Sequence, residues 1–466
     1  MENGSSEFDL VQLPDPGSGL EESEAEDQAD YKPGGYLTIT PGDEFKNARY
    51  IVLEKLGWGH FSTVWLAFDR LDERLVAIKI QKGAEHYEEA AIDEIRLLED
   101  LRRSGNIIDF PVVHLTDHFV HQGSDGRHVC LVFEVLGKSL LSLIRRCNYN
   151  GIPVPLVRSI TRQILEGLDF VHIQSQIIHT DIKPENVVFV PLAEEMDRLQ
   201  NLAREAVRAR YCASAASREG DELVSLATNF SDVTVADDIR ERGVADAPLI
   251  FNYKDHLENP DKMYHRGKVK IVDFGNGCWV HHQFTSDIQT RQYRSPEVIL
   301  GSPYDTSADI WSTACLIFEL LTGEFLFDPQ ESGTHSQNED HLALMVELLG
   351  PMSPTFVWKG KRSSELFTPQ LELKHIRSLQ FWSMKDVLRE KYFFSPEESN
   401  LFSDFLLPML SFEPSRRATA RQCLQHPWMM GTVCPRADSH LTFSPREESV
   451  VGEDEAERQV DQLPET

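Results

Sequence analysis

Two acids mark the chemistry this chain could perform. Asp181 stands in Ile-Ile-His179-Thr180-Asp181-Ile-Lys183-Pro-Glu185-Asn186, and Asp273 opens Asp273-Phe274-Gly275. An acid with a lysine and an amide just downstream can take a hydroxyl proton, neutralise a moving phosphoryl group and hold a hard cation through oxygen. Asp181 is the expected base or orienter, Lys183 the neutralising cation, and Asn186 and Asp273 the Mg²⁺ ligands. Upstream lie Gly57-Trp-Gly59-His-Phe-Ser62-Thr-Val64 and Val76-Ala77-Ile-Lys79. Glycines at 57 and 59 let a β-turn bring its N–H groups against ATP phosphates, and Ser62 is small enough for the third position. Lys79 would bind the α- and β-phosphates. A Gly-x-Gly alone is a weak signal, and Asp-Phe-Gly alone is often a plain turn. The four motifs in this order point to ATP-dependent phosphoryl transfer.

These groups need a scaffold. From Tyr50 the pattern is strand-like into the Gly-rich turn, then again over Thr63–Phe68 and Leu75–Ile80. Glu88 to Leu101 has helical spacing, with Ala91, Ile95 and Leu98 on one face. Glu94 precedes Ile95 at the edge of that face, so it is the expected carboxylate partner of Lys79 rather than Asp93 or Glu99. Val129–Val135 is a further strand, and beyond Gly137 the chain turns mainly helical. The expected fold is α+β and bilobal: a small β-rich N-lobe and a larger α-helical C-lobe. Asn186 and Asp273 are far apart, but Val187-Val-Phe-Val and Val269-Lys-Ile-Val read as two strands of one hairpin. Residues 192–266 are therefore an insert at its tip, expected to be largely flexible. Leu192, Met196, Leu199 and Ala203 keep helical spacing at its start, which suits a docking helix or, slightly better, a helix covering the protein's own surface.

Bulk properties narrow the class. The 466 residues carry 46 Lys plus Arg against 75 Asp plus Glu, a formal net charge of −29. Such a field repels nucleic acid and anionic membrane and attracts basic partners, although acidic tails supply part of it. Seven cysteines without a Cys-x-x-Cys pair argue against a disulfide framework or zinc knuckle. Met-Glu-Asn-Gly-Ser-Ser-Glu has no basic segment followed by an apolar one, so no signal peptide is expected, and no apolar run approaches membrane length. Residues 1–32 and 433–466 read as acidic disordered tails. The N-lobe and hinge are assigned to 33–137, and the C-lobe to 138–191 and 267–432.

Thr180 departs from a common pattern. Many phosphorylation-gated enzymes of this kind carry Arg there, to pair with a loop phosphate. Thr cannot do so, and the segment from Asp273 to Glu297 is short. The expectation is an activation segment held by packing and neutral hydrogen bonds, hence intrinsic activity. Thr285, Ser286 and Thr290 are candidate phosphosites.

Gly-Trp-Gly-His-Phe-Ser-Thr-Val-Trp-Leu, Phe-Glu-Val-Leu-Gly, Ile-Ile-His-Thr-Asp-Ile-Lys-Pro-Glu-Asn and Gln-Thr-Arg-Gln-Tyr-Arg-Ser-Pro-Glu resemble the SR-protein kinases of the CMGC group. So does the stretch from Asn338 through Asp340 and Glu347 to Gly350. The resemblance covers roughly residues 33–430 and includes the long insert and the Thr. It implies a constitutively active Ser/Thr protein kinase acting on serines in Arg/Ser-rich segments of splicing factors, and thus on mRNA splicing. It also implies an acidic docking groove at Glu324, Asp340, Glu347 and Lys391. Asp340 and Glu347 lie two helical turns apart and would share a face. Relatives usually have Asp at position 324, so Glu alters the reach there. Ser295-Pro296-Glu297 departs too, since relatives often have Leu for Pro296. Glu185, beside the catalytic loop, is a further candidate reader of substrate Arg. The ATP site would comprise Leu56, Gly57, Gly59, Ser62, Val64, Ala77, Lys79, Phe133, Glu134 and Leu136. Glu297 would pair with Arg417, and Asp309 would brace the catalytic loop.

Two alternatives stand beside this reading: another CMGC kinase of LAMMER or DYRK type, and a pseudokinase scaffold, against which intact Lys79, Asp181, Asn186 and Asp273 speak. ATP and Mg²⁺ are the expected cofactors, and basic Arg/Ser-rich proteins the expected partners. A further partner for the insert is open. A monomer without direct nucleic-acid or membrane binding, in cytoplasm and nucleus, is expected.

Overall fold

The computed structural model describes residues 26–105, 110–123, 126–216 and 267–431. The remaining parts of both tails and of the insert lie outside the described residues. Six antiparallel strands form the N-terminal sheet: β1 (Glu44–Phe45), β2 (Tyr50–Gly59), β3 (Ser62–Asp69), β4 (Arg74–Gln81), β5 (Leu115–Gly123) and β6 (Gly126–Phe133). Their spatial order is β1-β2-β3-β4-β6-β5. Helix α1 (Glu85–Arg103) packs beside it, burying Ala91, Glu94, Ile95, Leu98 and Leu101 along one stripe. Acids in its first turn and arginines in its last complement the helix dipole.

The helical part follows. It contains α2 (Leu140–Arg146), α3 (Val154–Gln174), α4 (Ala193–Ala216), α5 (Pro296–Leu300), α6 (Ser307–Thr322), α7 (Gln337–Leu349), α8 (Met384–Glu390) and α9 (Pro396–Leu406), with short helical turns between and after them. Helix α6 is buried along its whole length, which explains its apolar sequence on every face. Short strands frame the catalytic loop. The strand β7 (Ile177–Ile178) pairs with β10 (Cys278–Trp279), and β8 (Val187–Phe189) pairs with β9 (Val269–Ile271). The β8–β9 pairing closes the hairpin expected at the base of the insert.

Helix α4 leaves that hairpin and lies on the N-terminal sheet. Leu199, Ala203 and Val207 are buried among Ile51, Leu53, Leu66 and Phe68 of β2 and β3. The helical spacing thus serves a helix that covers the protein's own surface. Residues 26–32 differ from the tail expected there. Glu26 pairs with Lys55 and accepts the Tyr31 hydroxyl, and Asp30 pairs with Lys82 at 2.8 Å. Basic side chains at the edge of the sheet anchor acids that composition alone assigns to the tail.

Candidate active site

The ladder puts Val64 opposite Lys79 and Ala77 opposite Phe133. Lys79 and Ala77 sit two residues apart and so project on one side of the sheet. Leu56, Val64, Phe133 and Leu136 are each half-buried, leaving apolar surface at the edge of the core. Gly57 and Gly59 have open space where a Cβ would stand, so this turn presents bare backbone. The Glu134 side chain is spent elsewhere: Lys270 donates to it at 2.6 Å and His114 lies at 2.8 Å. Any ligand contact by Glu134 is therefore left to its backbone.

Three distant parts of the chain meet at Lys79. Its Nζ donates to Glu94 Oε1 and Oε2 at 2.9 and 3.0 Å and to Asp273 Oδ1 at 2.8 Å. Burial pulls the Lys79 pKa down, but the charges of Asp273 and Glu94 overcome it and hold the ammonium above its ordinary value. The Lys79 charge in turn holds the Asp273 carboxyl down at about 2, against its burial. Helix α1 supplies Glu94 because its position on the stripe turns a carboxylate inward, where Lys79 and Gln81 receive it.

The catalytic loop is held by α6. Asp309 accepts the N–H groups of His179 and Thr180, each at 2.8 Å, and lies 2.8 Å from the His172 ring. This lets Thr180, a β-branched residue, keep φ +69. Asp273 (φ 64) and Gln289 (φ 70) share that rare conformation. Asp181 is ringed by donors: Thr290 Oγ1 to Oδ1 at 2.7 Å, Asn186 Nδ2 to Oδ2 at 3.1 Å, and Lys183 Nζ at 2.9 Å from Oδ2. Thr290 also accepts from Lys183 at 3.0 Å. Its hydroxyl belongs to the Asp181 cluster, a role distinct from that of a phosphosite. No local pattern around Thr290 signals it.

A Mg²⁺ ion suits the donor set. The Asn186 amide nitrogen is turned to Asp181, leaving its oxygen as a hard ligand, and Asp273 has a second carboxylate oxygen beyond the one on Lys79. The backbone brings them together, since Val272 N–H donates to the Asn186 carbonyl at 2.9 Å. Among the described residues no cluster of three or more His, Cys, Asp or Glu could hold a metal. One amide and one carboxylate fit an ion that completes its shell with water and phosphate oxygens.

The expected docking residues occupy the helical part. Glu324 accepts from Lys391 at 2.6 Å and Tyr392 at 2.9 Å, so the longer side chain reaches a partner of its own. Asp340 and Glu347 both sit on α7; Asp340 accepts Gln330 N–H and Glu347 accepts Gln380 N–H, each at 2.8 Å. Glu185 is exposed beside the catalytic loop. Glu297 and Arg417 form a fully buried bidentate pair at 2.7 and 2.8 Å. Sequence reasoning missed Glu319 on α6, which is buried and accepts the Tyr293 hydroxyl at 2.6 Å. Burial pushes its carboxyl up to about 7, with the Glu185 charge adding to the rise and the Tyr293 hydrogen bond opposing it.

Comparison with known proteins agrees with this geometry. The family described as "Protein kinase domain" matches residues 50–198 and 261–429, interrupted within the insert. The serine/threonine-protein kinase SRPK of Physarum polycephalum is 45% identical over 418 residues, spanning 88% of this chain and 92% of that protein. The protein kinase dsk1 of Schizosaccharomyces pombe is 38% identical over 489 residues, with 92% and 88% covered. The SRSF protein kinase 3 of Homo sapiens is 38% identical over 522 residues, with 88% and 91% covered.

Proposed function

Since the chain belongs to the protein kinase family and, within it, to the SR-protein kinases, we propose that it transfers the ATP γ-phosphate to serines in Arg/Ser-rich segments of splicing factors. It is a serine/threonine protein kinase, and protein kinase domains use ATP and Mg²⁺. The observation that carries the reading is Lys79 held between Glu94 and Asp273, with Asp181 ringed by Thr290, Lys183 and Asn186.

In this mechanism Lys79 grips the α- and β-phosphates and Glu94 fixes its position. The half-buried Leu56, Val64, Phe133 and Leu136, with Ala77, flank the adenine, and Gly57, Gly59 and Ser62 cover the phosphates. Asn186 and Asp273 would hold Mg²⁺, which neutralises phosphate charge. Asp181 orients the serine hydroxyl and takes its proton as the oxygen attacks. Lys183 balances the charge that develops between them. Positioning and electrostatics supply most of the acceleration. Glu324, Asp340, Glu347 and Glu185 receive the basic flank of the substrate, and Lys391 sets the reach of Glu324. The protein acts as a monomer in cytoplasm and nucleus; no described helix is long and apolar enough to cross a membrane.

The test is transfer of labelled phosphate by protein made in bacteria, offered an Arg-Ser repeat peptide, its Lys-Ser counterpart and a Ser-Pro peptide. Transfer to Arg-Ser alone, lost in Asp181→Ala, is the expected result. Preference for Ser-Pro would move the chain to a proline-directed branch. Failure with every peptide would overturn the reading.

A further inference from the structure

The residues just ahead of the matched kinase domain hold the nucleotide loop. Tyr36 is buried, and its hydroxyl donates to the Gly59 carbonyl at 2.8 Å. Its ring is covered by Lys82, whose Nζ lies 4.3 Å from the ring centre and pairs with Asp30 at 2.8 Å. The backbone N–H of Lys82 donates to the Phe61 carbonyl at 2.9 Å, so the tip of the same loop is held at a second point. The segment also reaches helix α1. That helix begins at Ala84 with no side-chain cap; instead the Gly83 and Ala84 N–H groups donate to the Gly35 and Gly34 carbonyls, each at 3.0 Å. One short strap therefore touches the loop that covers the phosphates and the start of the helix that carries Glu94.

We propose that residues 30–36 are a built-in positioning strap for the nucleotide site, with Tyr36 as a positioning residue for ATP through its bond to Gly59. The physical case is preorganisation. A glycine turn without restraint samples many backbone states, and each must be given up when phosphates bind. The Tyr36 hydroxyl removes part of that freedom in advance, in a buried setting where the tyrosine itself has little freedom left to lose. Gly35 shows how tightly the strap is wound: a Cβ there would stand 1.9 Å from the Asp30 carbonyl oxygen. The inference deepens the kinase reading above and rests on it for the identity of the nucleotide.

The experiment compares full-length wild type with Tyr36→Phe and Gly35→Ala. Calorimetric binding of MgADP is read alongside KM for ATP, KM for an Arg-Ser peptide and the thermal midpoint. Tyr36→Phe removes one hydroxyl from an otherwise intact ring. It is expected to weaken MgADP and raise KM for ATP by up to about fivefold, the worth of one ordinary hydrogen bond, with peptide KM near wild type and a small fall in midpoint. Gly35→Ala, which distorts the strap and leaves the Tyr36 hydroxyl in place, is expected to weaken MgADP at least as much. Faster amide exchange at residues 59–62 and 84–88 should accompany both. Unchanged MgADP affinity in Tyr36→Phe would overturn the proposal, as would losses confined to peptide KM or midpoint. If wild type binds MgADP but transfers nothing, the kinase reading fails, while the binding and exchange arms still decide the role of the strap.

Discussion

The Thr180 hydroxyl donates to the Asn276 carbonyl at 2.8 Å, tying the catalytic loop to the activation segment without any charge. An Arg at this position would need a phosphate partner. Thr makes its bond at once, and Asp309 holds its backbone in place. Thr180→Val keeps the branched shape and loses the bond. It should cost about 1 kcal/mol of stability and a few-fold in kcat. Phosphatase treatment should leave wild-type activity unchanged. Loss of activity on dephosphorylation would sink this account.

Glu347→Gln should raise KM for an Arg-Ser peptide several-fold at low salt and leave KM for ATP alone. The carboxylate of Glu347 spends one oxygen on Gln380 N–H, so its second remains for a substrate guanidinium. Raising the ionic strength should shrink the difference between variant and wild type. An effect that does not vary with salt would point to a structural role instead.

Glu297 and Arg417 have no side-chain exposure at all. Glu297→Ala leaves a buried guanidinium without its carboxylate. The expected loss is about 3–5 kcal/mol, seen as a large fall in the denaturation midpoint. A fall worth under about 1 kcal/mol would show that the helical part relaxes around the lone arginine.

Glu319 gives a pH signature. Its folded-state pKa of about 7 lies above the ordinary carboxyl value of 4.5. The folded protein therefore holds this proton more tightly than the unfolded chain. The stability it contributes is complete below about pH 4.5 and is lost as pH rises through 7. In Glu319→Gln the amide oxygen can still accept from Tyr293, and no proton is released. The stability of wild type relative to the variant should fall by roughly 2–3 kcal/mol between about pH 4.5 and 8. A gap constant over that range, measured by urea denaturation, would refute the assignment.

The sequence is most legible where chemistry is written in contiguous residues. Asp181, Lys183 and Asn186 are placed by one loop, and Lys79 by one strand. Glu94 is readable because helical periodicity identifies the inward face. Thr290, Glu319 and Tyr36 escape for a shared reason: each acts through a contact remote in sequence, with Asp181, Tyr293 and Gly59 respectively. Composition also misplaces the N-terminal boundary. Asp30 is acidic and polar like a tail, yet Lys82 gives it a fixed partner.

The β8–β9 hairpin makes this enzyme divisible. Val187, Val188 and Phe189 pair directly with Ile271, Lys270 and Val269, so the base of the insert is closed, while α4 carries the outgoing chain on across the N-terminal sheet. A peptide bond cut anywhere in residues 217–266 would separate the chain into two pieces that each carry one metal-ligand candidate, Asn186 on one and Asp273 on the other. The hairpin, and Lys79 reaching from the first piece to Asp273 on the second, would hold them as a single nicked enzyme.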